Sequence, residues 1–319
     1  MLQIIDDFVV RCEAGYYCRY GDFYIDAMRP VPRNIVSHAH GDHATTGHKL
    51  IIATRATLAF MRNKFSRLPE DTLREVAFGE HFKFGEVDIT LIPAGHILGS
   101  AQLLMIYKGV RYLYTGDYKM QEDPTCEQIE IVKTDVLITE TTFANPLTKH
   151  PDIKAEILKM KDRPSNIMLG CYVLGKAQRL TALINKYLPE REVLVHFKMH
   201  GVHKIYQELG FVPLKYNVYN RKLMREGEPN KIYLVPPLTF NSYFKAKNVI
   251  KAFASGWERL QKHNDIELYI SDHVDWDDLL HYIELVHPKQ VWTIHGDGRA
   301  LQLFFADSLT VRDIIRLKE

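Results

Sequence analysis

Ser37-His38-Ala39-His40-Gly41-Asp42-His43 sets four ligand-type side chains within six residues, directly after a short apolar stretch. In an extended chain alternate residues share a face. His38, His40 and Asp42 can therefore converge, and a turn after Gly41 can bring His43 in. Imidazole with carboxylate suits Zn²⁺, Mn²⁺ or Fe²⁺ better than Ca²⁺ or Mg²⁺. Four local groups supply parts of two sites, so further ligands are expected downstream. The candidates are His96 in Pro93-Ala94-Gly95-His96, Asp117 in Thr115-Gly116-Asp117-Tyr118 and His295 in Ile294-His295-Gly296-Asp297. Each has a glycine neighbour, which allows close backbone approach.

The elements that must hold these groups follow from periodicity. Residues 1–50 read as short strands at 2–5, 16–20, 23–25 and 34–37, and 52–60 reads as helix-bearing. Strands at 81–84 and 87–93 flank the turn Gly85-Glu86, and strands at 102–107 and 111–115 flank Lys108-Gly109. An apolar run at 136–139 closes this strand-rich half. The pattern then changes. A helix at 153–160, a strand at 166–172, a helix from Gly175 to Lys186, a strand at 193–196 and a helix at 202–209 alternate as in a parallel α/β unit. Strands at 231–235 and 249–254 extend it. From 266 a strand, a helix at 276–286, a strand at 290–294 and a helix at 299–307 return to the character of the first half. The reading is α/β, with 1–144 and 269–319 as one domain and 145–268 inserted into it.

The chain has 319 residues, 46% hydrophobic and 25% charged, which fits a folded protein and excludes disordered, collagenous and filament classes. Its formal charge of +2 gives no global polybasic signal, so nucleic-acid binding must come from a local patch or a metal site. Cys12, Cys18, Cys126 and Cys171 form no CxxC pair and read as reduced thiols. No stretch reaches the roughly 20 apolar residues of a membrane span. The acidic start Met1-Leu-Gln-Ile-Ile-Asp-Asp lacks a signal-peptide pattern, so the expected location is the cytoplasm. The nine histidines outside the motifs discussed here read as structural. Among them, His196, His200 and His203 lie with Lys198 and Lys204 on a stretch read as plain surface.

The HxHxDH run, a Gly-His, a Gly-Asp and a late histidine together resemble the metallo-β-lactamase superfamily. The resemblance implies an αββα sandwich with two divalent ions, Zn or Mn. His38, His40 and His96 would hold one ion; Asp42, His43 and His295 would hold the other, with Asp117 bridging. Two such ions can hold a hydroxide nucleophile and clamp a phosphate, and Asp42 could orient that hydroxide. Thr139-Glu140-Thr141-Thr142-Phe143 and Ser271-Asp272-His273-Val274-Asp275 resemble motifs A and B of the β-CASP nucleases, and His295 fits motif C. His273 would then protonate the leaving oxygen while Glu140 fixes its tautomer and raises its pKa. The insert resembles a β-CASP domain. In it Tyr172-Val173-Leu174-Gly175-Lys176-Ala177-Gln178 is similar to the GKAQ signature, with Lys176 expected to meet a backbone phosphate at a helix N-terminus. Phe253-Ala254-Ser255-Gly256-Trp257 is similar to a segment beside the substrate, with Trp257 able to stack on a base.

Further motifs, among them Gly21-Asp22-Phe23-Tyr24-Ile25-Asp26 and Gly116-Asp117-Tyr118-Lys119, resemble the bacterial ligase-associated DNA exonucleases. That group implies a DNA-repair nuclease working beside an ATP-dependent DNA ligase and a helicase. His295 at motif C instead matches the RNA-processing members, whereas the eukaryotic crosslink-repair type carries Val. A β-CASP ribonuclease is the alternative. A non-nuclease hydrolase is disfavoured by the GKAQ insert, and a non-catalytic scaffold by the complete ligand set.

Overall fold

A computed structural model describes residues 3–220, 227–242 and 248–317. The chain divides into two compact units. The first comprises Met1–Glu122, Glu127–Lys149 and His273–Glu319, and the second Asp123–Cys126 and His150–Asp272.

The first unit holds two sheets. One has six short strands in chain order: Val9–Cys12, Gly15–Cys18, Phe23–Ile25, Asn34–Ile35, Ile51–Ala53 and Leu73–Glu75. The other has seven, ordered Thr310–Asp313, Gln290–Gly296, Val136–Thr141, Val110–Tyr114, Ala101–Tyr107, Val87–Pro93 and His81–Phe84. Period-2 side-chain alternation sorts this second sheet into two faces. Leu103, Met105, Tyr112, Tyr114, Ile138 and Trp292 share one core with Phe8, Phe23, Ile25, Ile35 and Ile52 of the first sheet and its approach. Their neighbours Leu104, Leu113, Leu137 and Val291 point the other way, onto helix Trp276–Val286. That helix buries Trp276, Leu279, Tyr282, Ile283 and Val286 at helical spacing. It starts where the Asp275 carboxylate accepts the Asp278 N–H at 2.9 Å.

The second unit is a parallel six-stranded sheet, ordered Asn217–Val218, Glu192–Val195, Lys231–Val235, Asn166–Gly170, Val249–Ala254 and Ile266–Leu268. Both faces are covered, as parallel sheets require. Ile167 and Leu169 face helix residues Ala177, Leu180 and Ile184. Met168 faces Phe240 and Phe253. Cys18, Cys126 and Cys171 are buried and form no disulfide.

Several sequence expectations are adjusted. Residue 2 of the expected strand 2–5 lies outside the described residues, residues 3–5 carry no strand, and pairing starts at Val9. The segment 52–60 divides into strand Ile51–Ala53 and helix Arg55–Lys64, because Thr54 caps the helix by accepting the Thr57 N–H. Helix Phe197–Leu209 starts five residues before the expected 202, with His196 as its cap. The terminal strand Thr310–Asp313 was not anticipated; it is short, half-exposed and lies at a sheet edge.

Candidate metal centre

Four chain segments deliver the expected ligands and a fifth carries Glu140, each just beyond or at the end of a strand in the first unit. Asn34–Ile35 runs into His38–His43, Val87–Pro93 into His96, and Val110–Tyr114 into Asp117. Val136–Thr141 carries Glu140, and Gln290–Gly296 carries His295. Carboxyl ends of strands leave side chains and loop backbone free to converge. Two glycines make the approach possible. A Cβ on Gly116 would meet the Ser37 side chain at 3.0 Å, and one on Gly95 would meet the Lys119 carbonyl at 2.8 Å; both have positive φ.

His38 Nε2 and His96 Nε2 lie 3.1 and 3.0 Å from His40 Nδ1. Asp117 Oδ2 is 3.6 Å from His38 Nε2, 3.5 Å from His43 Nε2 and 3.9 Å from His96 Nε2. One donor atom from each of His38, His40, His96 and Asp117 falls within 4.8 Å of the others, a grouping that can hold a metal ion. The His43 and His295 rings are stacked with centroids 5.0 Å apart, and the Nε2 of each is buried without a hydrogen-bond partner. Asp42 is largely exposed, with Oδ2 3.8 Å from His43 Nε2. The donor set is imidazole and carboxylate with two buried nitrogens left unpaired, which fits divalent ions such as zinc or manganese. His38, His40, His96 and Asp117 thus form one group, with His43 beside Asp117 and with His295 and Asp42 beside His43.

The supporting hydrogen bonds fix which nitrogen of each ring faces inward. Ser37 Oγ donates to Asp26 Oδ2 at 2.7 Å, so the His38 Nδ1–H, 3.1 Å from Ser37 Oγ, is the donor to that hydroxyl and Nε2 is left for the centre. His43 Nδ1 donates to Asp26 Oδ2 at 2.8 Å, again exposing Nε2. Asp26 also accepts from the Ser37 N–H and the Tyr114 hydroxyl at 2.7 and 2.9 Å. Carboxylates in this position orient ligating histidines and raise their basicity. Burial pushes the His38 pKa well below its ordinary value, with the His43 charge adding to it. Burial also works against a charged His43, but the Asp117 and Asp26 carboxylates outweigh it and hold its pKa well above the usual range. Asp117, whose own burial favours the neutral acid, is held well below the carboxylate range by His43 and His273.

Beside this group His273 Nδ1 sits 2.8 and 3.0 Å from the two Glu140 oxygens and 4.0 Å from Asp117 Oδ2. Glu140 is itself fixed, accepting the Tyr118 N–H at 2.9 Å and the Thr142 hydroxyl at 2.5 Å. The pairing leaves His273 Nε2 as the working nitrogen of a partly exposed ring.

Lys176, Ser255 and Trp257 belong to the second unit. Helix Lys176–Tyr187 begins where expected, but the ammonium read as a phosphate contact is buried. It donates to the Ile270 carbonyl at 2.5 Å and pairs with Asp272 at 3.1 Å. Arg179 joins it, 3.1 Å from Asp272 and 3.5 Å from Asp123. Ser255 is buried, its hydroxyl accepting the Trp257 N–H at 3.1 Å. Trp257 is exposed, with the Arg259 guanidinium 5.1 Å over its ring.

Sequence reasoning missed Asp26, Tyr114 and Lys119. Asp26 directly follows strand Phe23–Ile25; the motif Gly21–Asp26 marked its position but not its role. Lys119 is buried and its ammonium donates to the His96 carbonyl, while Ser100 Oγ accepts the His96 N–H at 3.0 Å, so the His96 backbone is held at both ends.

Comparison with known proteins adds relatives to this geometry. No family model matches the chain. A probable DNA ligase of Opitutus terrae is 31% identical over 307 residues, covering 90% of this chain and 29% of that protein. The endoribonuclease ysh1 of Aspergillus fumigatus is 33% identical over 142 residues, 42% of this chain and 16% of its own length. Cleavage and polyadenylation specificity factor subunit 3 of Dictyostelium discoideum is 28% identical over 137 residues, 41% of this chain and 18% of that one. The ysh1 and cleavage-factor relatives are nucleases of the β-CASP branch of the metallo-β-lactamase superfamily, and this chain is homologous to them. It spans less than a third of the length of each of these relatives. A solved protein of unknown function from Enterococcus faecalis superposes with a TM-score of 0.60 at 14% identity, over 92% of this chain and 80% of that one, and so shares the fold.

Proposed function

We propose that this protein is a divalent-metal-dependent phosphodiesterase that cleaves nucleic acid, with DNA as substrate and exonucleolytic repair as its role. The observation that carries the reading is the grouping of His38, His40, His96 and Asp117 next to the Glu140–His273 pair. In this reading the first unit is the metallo-β-lactamase αββα sandwich and the second the β-CASP insert. His38, His40 and His96 would hold one ion and Asp42, His43 and His295 the other, with Asp117 available to both sets.

Bound divalent ions would supply Lewis-acid charge to the scissile phosphate and a water activated for attack. The exposed Asp42 carboxylate orients that water. His273 Nε2 delivers the proton to the leaving oxygen, and Glu140 keeps Nδ1 protonated and the ring fixed. Asp26 keeps His43 turned with Nε2 inward.

Two observations bear on the substrate. The Opitutus relative named a probable DNA ligase contains a segment matching 90% of this chain. That supports DNA and a working association with a DNA ligase; ATP dependence and a helicase partner rest on the resemblance to the ligase-associated exonucleases alone. The relatives named endoribonucleases, together with His295, favour RNA as the second reading. No described helix is long and apolar enough to cross a membrane, and we place the protein in the cytoplasm.

The test is cleavage of matched 5′- and 3′-labelled single-stranded DNA and RNA with Zn²⁺ or Mn²⁺, beside Asp42→Ala. DNA cut by the parent and not by the variant supports the repair nuclease, and the labels give polarity. Cleavage of RNA alone moves the protein to RNA processing. Cleavage of neither refutes the nuclease reading.

A further inference from the structure

The second unit has one edge unlike the rest of its surface. Among its described residues six large apolar side chains are exposed: Tyr172, Phe197, Phe211, Val218, Leu238 and Trp257. Five of them lie at the carboxyl edge of the parallel sheet. Val218 ends strand Asn217–Val218. Phe197 lies two residues beyond Glu192–Val195, and Leu238 three beyond Lys231–Val235. Tyr172 lies two beyond Asn166–Gly170, and Trp257 three beyond Val249–Ala254. These five strands are consecutive neighbours in the sheet. At about 4.8 Å between strands the row from Phe197 to Trp257 spans roughly 14 Å. At the amino edge the residues just before five of the six strands are polar, Ser165, Arg191, Asn230, Asn248 and Asp265, and Tyr216 precedes the sixth.

Charge narrows the occupant. Residues 150–272 carry 20 Lys and Arg against 12 Asp and Glu, a formal +8. The remaining residues carry 21 against 27, a formal −6, so the near-neutral total conceals a basic insert. Among the immediate sequence neighbours of the row, Lys198 is an exposed cation and Glu258 the single acid. Arg259 stacks on Trp257. Flat apolar faces at base-scale spacing, set in a cationic unit, suit a polyanion with exposed π-faces. A duplex keeps its base faces covered by stacking; an unpaired strand offers them.

We propose that this edge is a stacking platform for single-stranded nucleic acid. The proposal rests on the nuclease reading and adds a preference for unpaired strands. Bases lie against Phe197, Leu238, Tyr172 and Trp257, and backbone phosphates meet Lys198 and Arg259.

The experiment uses the full chain in EDTA, which prevents cleavage, with fluorescein-labelled 12-mer deoxythymidine and uridine strands and a hairpin duplex, read by anisotropy. The parent binds the single strands more tightly than the duplex. Phe197→Ala and Tyr172→Ala each weaken strand binding by roughly 5- to 150-fold, and Phe197→Trp preserves it. Lys198→Gln weakens it for both sugars and lowers the salt slope by about one. Each exposed-site variant is checked for an unchanged melting curve. Hydrolysis of bis(p-nitrophenyl) phosphate, a diester too small to span the row, stays at the parental rate with metal present. Strand binding unaltered in both alanine variants, or duplex bound as tightly as single strand, overturns the proposal while leaving the nuclease reading intact. Loss of a dimer in Phe197→Ala by light scattering would assign the edge to a second copy and also overturns it. If the parent neither binds strands nor hydrolyses the small diester, it is the nuclease reading that fails.

Discussion

Each unit contains a buried polar cluster, and the two are finished differently. In the first unit the imidazoles of His38, His40, His43, His96 and His295 gather around Asp117, and two ring nitrogens remain buried and unpaired. In the second, the cations of Lys176 and Arg179 close on Asp272, Asp123 and the carbonyls of Ile270 and Ser271. The first cluster holds its groups at a spacing that can take a cation. The second satisfies its charges from within the chain, as a buried ion pair must if it is not to destabilise the fold. The difference separates a binding site from a fastening, although both were marked by strong sequence motifs.

The largest expected effect comes from removing the hub of the first cluster. Asp117→Ala should abolish cleavage and reduce the metal bound after dialysis, measured by elemental analysis, while circular dichroism stays parental. Metal content equal to the parent would break the comparison on that side. His273→Ala should slow turnover by roughly 10²–10⁴-fold with metal retained. Glu140→Gln should fall between parent and that variant, and wild-type turnover in His273→Ala would remove the general-acid role.

On the other side, Arg179→Met leaves Asp272 and Asp123 short of a buried counter-charge and should cost about 3–5 kcal/mol in urea unfolding. Small-diester hydrolysis per folded molecule should be much less affected than in Asp117→Ala.

The smallest effect tests a third buried polar group, His203. Its Nε2 lies 3.0 Å from the Thr181 hydroxyl, which itself donates to the Ala177 carbonyl at 2.8 Å, and its Nδ1 lies 2.9 Å from the Gln178 amide. Nδ1 also lies 3.0 Å from the Met199 carbonyl, so the ring is held at both nitrogens, and burial lowers its pKa from 6.5 to about 4. Because the folded state binds fewer protons, this contribution is complete above about pH 6.5. It is lost as pH falls toward 4, by up to about 3 kcal/mol. Urea midpoints between pH 7 and 4.5 should fall in the parent and fall less in His203→Gln; equal slopes would exclude the group.

The ligands were legible because the superfamily's groups are local or flanked by glycine, so type and spacing suffice. Asp26 was not, since its importance comes from a strand pairing that brings Ser37, His43 and Tyr114 onto one carboxylate. Lys176 shows the converse. Sequence located its helix start, but not the direction of its side chain, which turns toward Ile270 and Asp272. His203 was read as surface because lysines surround it in sequence, whereas helical periodicity turns it inward with Met199, Val202 and Tyr206. Strand order was hidden for a related reason: Val136–Thr141 pairs with Gln290–Gly296 across the whole second unit.

That pairing has a consequence for synthesis. The strands of the second unit all lie between residues 166 and 268, so they leave the ribosome before Gln290–Gly296 and Thr310–Asp313 exist. The seven-stranded sheet must wait for both, and the first strand waits for the last residues, since Arg11 bonds Ile315 and Leu317 through its backbone. The nascent chain therefore reverses the usual N-to-C order of maturation. Its middle can settle while its beginning is held open, and the strand carrying His295 joins the first unit only after residues 166–268 have been made.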